Sequence, residues 1–188
     1  MRRTYREDND WSVNKIQPIA EKLFYQKYWP DSRIIHLDTG DNELKKILDV
    51  GGADKLIAHS DGSISFLAQR FRTYEFRKYD EFTIRAKRPS GHLTEFEKMI
   101  KGIKEKGLLS AYYSYGHVNE DEDEFLRFRI IDYLNFAKMV LSGELSPGKL
   151  IPNKDGSAYF YAWKFKNLPH KLILFEYPKP KILQMKLF

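Results

Sequence analysis

The chain has 188 residues and 42% hydrophobic residues, enough for one domain to bury its own core, and it contains no cysteine. That absence excludes thiolate catalysis, disulfide frameworks and cysteine-ligated zinc, so any metal must be held by oxygen or imidazole. Lysine and arginine number 32 against 26 acidic residues, a formal charge of +6 that suits a polyanionic partner such as nucleic acid.

Every apolar run falls short of the roughly 20 residues that a membrane-spanning helix needs. The opening Met1-Arg2-Arg3-Thr4-Tyr5-Arg6 carries no apolar secretory segment, so a cytoplasmic protein without membrane attachment is expected.

The spacing of Ile16, Ile19, Ala20, Leu23, Phe24 and Tyr28 predicts a helix over 13–28, with Pro18 in its first turn. A short second helix is expected over 41–48, capped by Asp41 or Asn42 and ended by Gly51-Gly52. Strands follow over 53–58 and 63–71, and Asp61-Gly62 between them signals a hairpin turn. A further strand over 82–86 leads past Pro89-Ser90-Gly91 into a helix over 94–106, where Thr94 and Glu97 fit a capping box.

The tyrosine-rich stretch 108–115 reads as a strand. The acidic run Glu120 to Glu124 reads as the solvated start of a helix over 123–142, with Gly143 as its stop. Strands over 158–165 and 171–177 are expected to pair as a hairpin or edge pair, and a short basic tail begins at Pro178. No repeat or linker divides the chain, so 1–188 is expected to form a single domain. The order of elements predicts an α/β fold with a central mixed sheet flanked by helices.

Chemistry concentrates in two places. Between residues 70 and 88, Arg70, Arg72, Arg77, Lys78, Arg85, Lys87 and Arg88 are interleaved with Phe71, Tyr74, Phe76, Tyr79 and Phe82. Cations and aromatics in this pattern can hold phosphates and stack bases, or form an ordinary solvated face; Arg77, Lys78, Arg85, Lys87 and Arg88 are the candidate nucleic-acid contacts. An ion pair of Arg85 with Glu75 or Glu81 is the alternative for that residue. Upstream, Asp49-Val50-Gly51-Gly52-Ala53-Asp54, the hairpin, and Ala68-Gln69-Arg70-Phe71-Arg72 set an acid at the start of one strand against polar residues on the next. Two carboxylates so placed can hold Mg²⁺ while a cation steadies a phosphate.

On these residues the stretch from Val13 to Lys106 resembles the PD-(D/E)XK, or restriction-endonuclease-like, nuclease superfamily. The resemblance implies that Asp54 is the metal-binding aspartate, that Gln69 falls near the second acidic position, that Arg70 or Arg72 falls near the lysine, and that Glu21 is the acid some members add from the first helix. Gln69 is neutral and offers a carbonyl in place of a charge. Strand alternation also sets Gln69 on the face of Leu67 and Phe71, and Arg70 and Arg72 on the opposite face, unless a bulge intervenes. Bland roles stand beside these: Asp54 capping a turn, Glu21 on the surface, Gln69 satisfying a buried backbone group. The five histidines are scattered without metal-ligand spacing.

The resemblance implies a nuclease that hydrolyses phosphodiester bonds in DNA with Mg²⁺ or Mn²⁺. A homodimer is expected on general grounds, since symmetric substrates favour paired sites. The alternative is a nucleic-acid-binding protein on the same fold that has lost hydrolysis, and the third reading is an interaction protein whose charge serves solubility.

Overall fold

The computed structural model describes residues 5–37, 52–89, 91, 93–105, 109–153 and 156–179. Its first element is a helix, α1, over residues 5–28, which begins well before the position at which apolar periodicity starts. Pro18 therefore lies inside the helix, where it has no N–H to donate and its ring crowds the carbonyl four residues back. The chain responds by opening into a π-helical turn at Trp11–Ile16, and the Gln17 amide reaches back five residues to the Ser12 carbonyl. A second π-helical turn follows at Glu21–Tyr25.

The strands are β1 (Arg33–His36), β2 (Lys55–Ala58), β3 (Ile64–Arg72), β4 (Glu81–Lys87), β5 (Tyr112–Val118), β6 (Phe125–Asp132), β7 (Lys149–Pro152), β8 (Tyr159–Lys164) and β9 (Ile173–Tyr177). They form a six-stranded sheet in the order β1-β2-β3-β5-β6-β9 and a three-stranded sheet in the order β4-β8-β7. In the larger sheet β1, β2 and β3 run antiparallel, β3 and β5 parallel, and β5, β6 and β9 antiparallel again. The parallel pair needs a long crossover, supplied here by β4 and helix α2 (Glu95–Lys104). A third helix, α3 (Tyr133–Ser142), follows β6 directly.

Two apolar clusters divide between the faces of the larger sheet. On one face α1 delivers Ile16, Ala20, Phe24 and Tyr25 onto Ile57, Leu67, Phe71, Phe128 and Ile130. On the other, Phe82 and Ile84 of β4, Met99 of α2 and Phe136 of α3 pack with Tyr113, Tyr115 and Ile131. The result is a layered α/β fold: α1, the mixed sheet, then the small sheet with α2 and α3.

The Asp61-Gly62 turn forms, with Gly62 at φ 83° and the Ser63 amide donating to Asp61 Oδ1 at 2.9 Å. The capping box also forms, since Thr94 and Glu97 each bond the other's amide. Three expectations are corrected. The stretch 123–142 is not one helix: Phe125–Asp132 is a strand held on both sides by β5 and β9, and α3 starts at Asp132, whose side chain accepts from the Asn135 amide. Apolar residues at 125, 128 and 131 fit a helical stripe, but the flanking strands decide the outcome.

The acidic run is accordingly a turn between β5 and β6, in which Asn119 Oδ1 accepts from the amides of Asp123 and Glu124. The last correction concerns β8 and β9, which do not pair; they belong to different sheets. The expected helix over 41–48 lies outside the described residues. No helix among those residues is long and apolar enough to cross a membrane.

Gly148 lets β7 approach β8, because a Cβ there would meet the backbone O, C and N of Ala162. Backbone atoms in a paired strand cannot give way. Gly148→Ala is therefore expected to cost about 1–3 kcal/mol by chemical denaturation; an unshifted midpoint would show that the small sheet tolerates displacement.

Candidate functional site

The face of the sheet beneath α1 carries a polar seam within its apolar packing. Lys55 opens β2 in phase with buried Ile57, and its side chain is 0% exposed. An ammonium with three protons needs acceptors when removed from water. It donates to Gln17 Oε1 at 2.9 Å and Glu21 Oε1 at 2.7 Å, both from α1, and lies 3.0 Å from His36 Nδ1 on β1. His36 Nε2 is 2.9 Å from the same Glu21 oxygen. These contacts suit an imidazole that accepts from Lys55 at Nδ1 and donates to Glu21 from Nε2. Glu21 is 24% exposed and His36 39%, so the cluster opens to solvent on their side.

Asp54 and Gln69 extend the seam towards β5. The Asp54 amide donates to the Leu67 carbonyl, and Asp54 Oδ2 accepts from the Gln69 amide at 2.7 Å. Asp54 thus takes over from the ladder where β2 stops pairing with β3. The Gln69 side chain bonds another side chain, with the Tyr25 hydroxyl donating to its Oε1 at 3.2 Å. Ser114 Oγ on β5 lies 2.5 Å from that hydroxyl. Burial, then the Glu21 and Asp54 carboxylates, raise the Tyr25 phenol well above its ordinary value against the opposing Ser114 bond, so it remains protonated.

Three of the sequence-derived residues, Glu21, Asp54 and Gln69, therefore share one seam. Arg70 and Arg72 do not join it. No bulge interrupts the β3–β5 register, in which Gln69 faces Ser114 while Arg70 and Arg72 pair with Tyr115 and His117. Both arginines point to the opposite face, towards Glu95 of α2. The cation in the seam is Lys55, which sequence reasoning missed together with Gln17, Tyr25, His36 and Ser114. Its signal was legible: a lysine two residues before Ile57 shares that residue's inward face.

Among the described residues, no three histidine, aspartate or glutamate side chains gather to hold a metal ion. The seam offers two carboxylates, Glu21 and Asp54, and the amide oxygen of Gln69. One oxygen of each already has a partner, Glu21 Oε1 accepting from Lys55, Asp54 Oδ2 from the Gln69 amide and Gln69 Oε1 from the Tyr25 hydroxyl, which leaves a sparse donor set. It does not fit a cation that needs a full protein cage.

The candidate nucleic-acid contacts separate as well. Arg77, Lys78 and Lys87 are exposed, and Arg77 and Lys78 lie over the rings of Tyr74 and Tyr79. Arg85 and Arg88 lie near Glu95, not near Glu75 or Glu81. Across the end of the sheet, Arg72, His117 and Arg127 fall in one row, with Arg127 and Arg129 both paired to Asp80.

Neither a protein family, nor a curated protein, nor a solved structure matches this chain.

His117 is 2% exposed. Burial first, then Arg127 and Arg72, push its imidazole down to about 3, against the opposing pull of Asp80. Since the folded value is depressed, the unfolded chain takes the proton first; the stability linked to His117 is whole above the ordinary value of ~6.5 and is lost as pH falls towards about 3. In thermal melts over that window, His117→Leu is expected to flatten the acid-side decline. A decline of equal slope in the variant would assign it to other groups.

Proposed function

We propose that the protein hydrolyses phosphodiester bonds in nucleic acid, with the seam of Glu21, Asp54, Lys55 and Gln69 as its active site. The observation behind the reading is a fully buried ammonium at the start of β2 bonded to Glu21 of α1, with the neighbouring Asp54 carboxylate bonded to the Gln69 amide where β2 leaves β3. A buried ion pair is a poor stabilising device, because an apolar pair of similar volume usually does as well; an ion pair kept in a partly open seam supports a chemical role. A helix, three antiparallel strands, a crossover of β4 and α2, and a strand parallel to the third form the mixed scaffold on which the reading rests.

The residues divide the work by position. Asp54, Glu21 and Gln69 present oxygens that would hold Mg²⁺ or Mn²⁺. A divalent cation bound there supplies Lewis-acid polarisation of the phosphate and a more acidic attacking water. Lys55 bonds Glu21 and fixes its direction, and His36 orients the same carboxylate from the open side, so both act as positioning residues. Tyr25 holds Gln69 Oε1 in place and is kept neutral by its burial. The substrate is expected to be DNA, bound with help from the exposed Arg77, Lys78 and Lys87.

A second reading, binding without hydrolysis, is favoured by a different feature: Glu21 is already bonded to Lys55 and His36, and Gln69 supplies no charge.

The test is cleavage of labelled linear and four-way-junction DNA with Mg²⁺ or Mn²⁺ against EDTA, for wild type, Asp54→Ala and Lys55→Met, with folding checked by circular dichroism. Metal-dependent cleavage reduced about 10²-fold or more in both variants is expected. Cleavage that survives Asp54→Ala would sink the reading, and salt-sensitive binding with no cleavage by wild type would establish the second one.

A further inference from the structure

On the face opposite the seam, four arginines meet a single carboxylate. Arg70 and Arg72 leave β3 on that side, Arg85 lies on β4, Arg88 just beyond it, and Glu95 opens α2. Glu95 Oε2 accepts from Arg70 Nη1 at 3.1 Å and from the Arg85 backbone amide at 2.8 Å. Burial acts to raise the Glu95 carboxyl, but Arg70, Arg85 and Arg88 outweigh it and hold it below its ordinary value. Burial likewise acts to lower Arg70, and Glu95 with the Tyr113 and Tyr115 hydroxyls carries it upward instead. One carboxylate is thus committed, mainly to Arg70.

Among the described residues Arg72 pairs with no carboxylate. Its guanidinium lies over the Phe76 ring at 4.0 Å, and its Nε is buried without a hydrogen-bond acceptor. A buried donor left unpaired costs roughly 1–3 kcal/mol, more for a charged group, and calls for an explanation such as a bound ion. Burial and the neighbouring arginines push both Arg72 and Arg85 below the usual arginine range, although Glu95 and the tyrosines oppose the shift. The positive end of α2 adds to the same surplus.

We propose that the cluster of Arg70, Arg72, Arg85 and Arg88 between the two sheets binds a phosphate group, with Arg72 as its inner donor. Guanidinium forks match phosphate oxygens two at a time, and a dianion would offset the charge that Glu95 leaves uncompensated. The site is separate from the Asp54 seam and does not depend on hydrolysis there. Its ligand is either a strand phosphate of nucleic acid or the phosphate of a free nucleotide, and the two sources are separable by experiment.

The full chain is titrated with inorganic phosphate, pyrophosphate, and an oligonucleotide with and without a 5′-phosphate, following calorimetry and thermal unfolding. The expected result is binding weakened at least ~10-fold by Arg72→Met, worth about 1.4 kcal/mol. Arg88→Met, at the end of the cluster, serves as the second variant should Arg72→Met fold poorly. Oligonucleotide binding that is salt-sensitive and Arg72-dependent identifies the strand phosphate. Arg72-dependent binding of pyrophosphate alone identifies the free nucleotide. Binding of none of these probes, or binding unchanged by both Arg72→Met and Arg88→Met, overturns the proposal. Cleavage by the seam enters none of these readouts, so its failure leaves this result intact.

Discussion

An ammonium withdrawn from water must be surrounded by acceptors, and Lys55 imposes that requirement on three elements at once. Gln17 and Glu21 have to face inward from α1, one helical turn apart, and His36 has to stand opposite on β1. The demand adds a directional constraint to the apolar contacts that Ile16, Ala20 and Phe24 make with the sheet. The pairing of β1 with β2 is tied to the same point, since His36 and Lys55 are register partners.

Strand alternation then gives the two faces of β3 different tasks. Gln69 turns towards α1 and joins the carboxylates, whereas Arg70 and Arg72, its neighbours in sequence, turn towards the small sheet. Neither face is a plain apolar core. One holds a lysine whose charge is compensated, and the other holds arginines in excess over their one carboxylate. That asymmetry separates the two proposals: hydrolysis belongs where carboxylates gather, and phosphate capture where guanidinium groups lack acceptors.

Local chemistry made part of this legible in the sequence. The Asp61-Gly62 turn and the Thr94–Glu97 box depend on residues within a few positions of each other, and both formed as read. So did the face of Gln69, which follows from alternation alone. What stayed hidden depends on distant partners. Residues 125–132 read as a helix until β5 and β9 enclose them, and β8 sits between β7 and the distant β4 and does not pair with β9. The early start of α1 was hidden by Pro18, which a π-helical turn accommodates. Lys55 belongs to no motif, and only its phase with Ile57 marks it as inward-facing.

Under the proposed function the Lys55–Glu21 pair serves chemistry and adds little net stability over an apolar pair of similar volume. The most direct measurement is a double-variant cycle by urea denaturation, comparing Lys55→Met, Glu21→Leu and the two together. Each single change strands a charge or polar acceptors and is expected to cost about 3–5 kcal/mol, while the double variant recovers most of that loss and has no metal-dependent cleavage. A double variant destabilised by the sum of the two single costs would contradict the claim and make the pair a structural fixture.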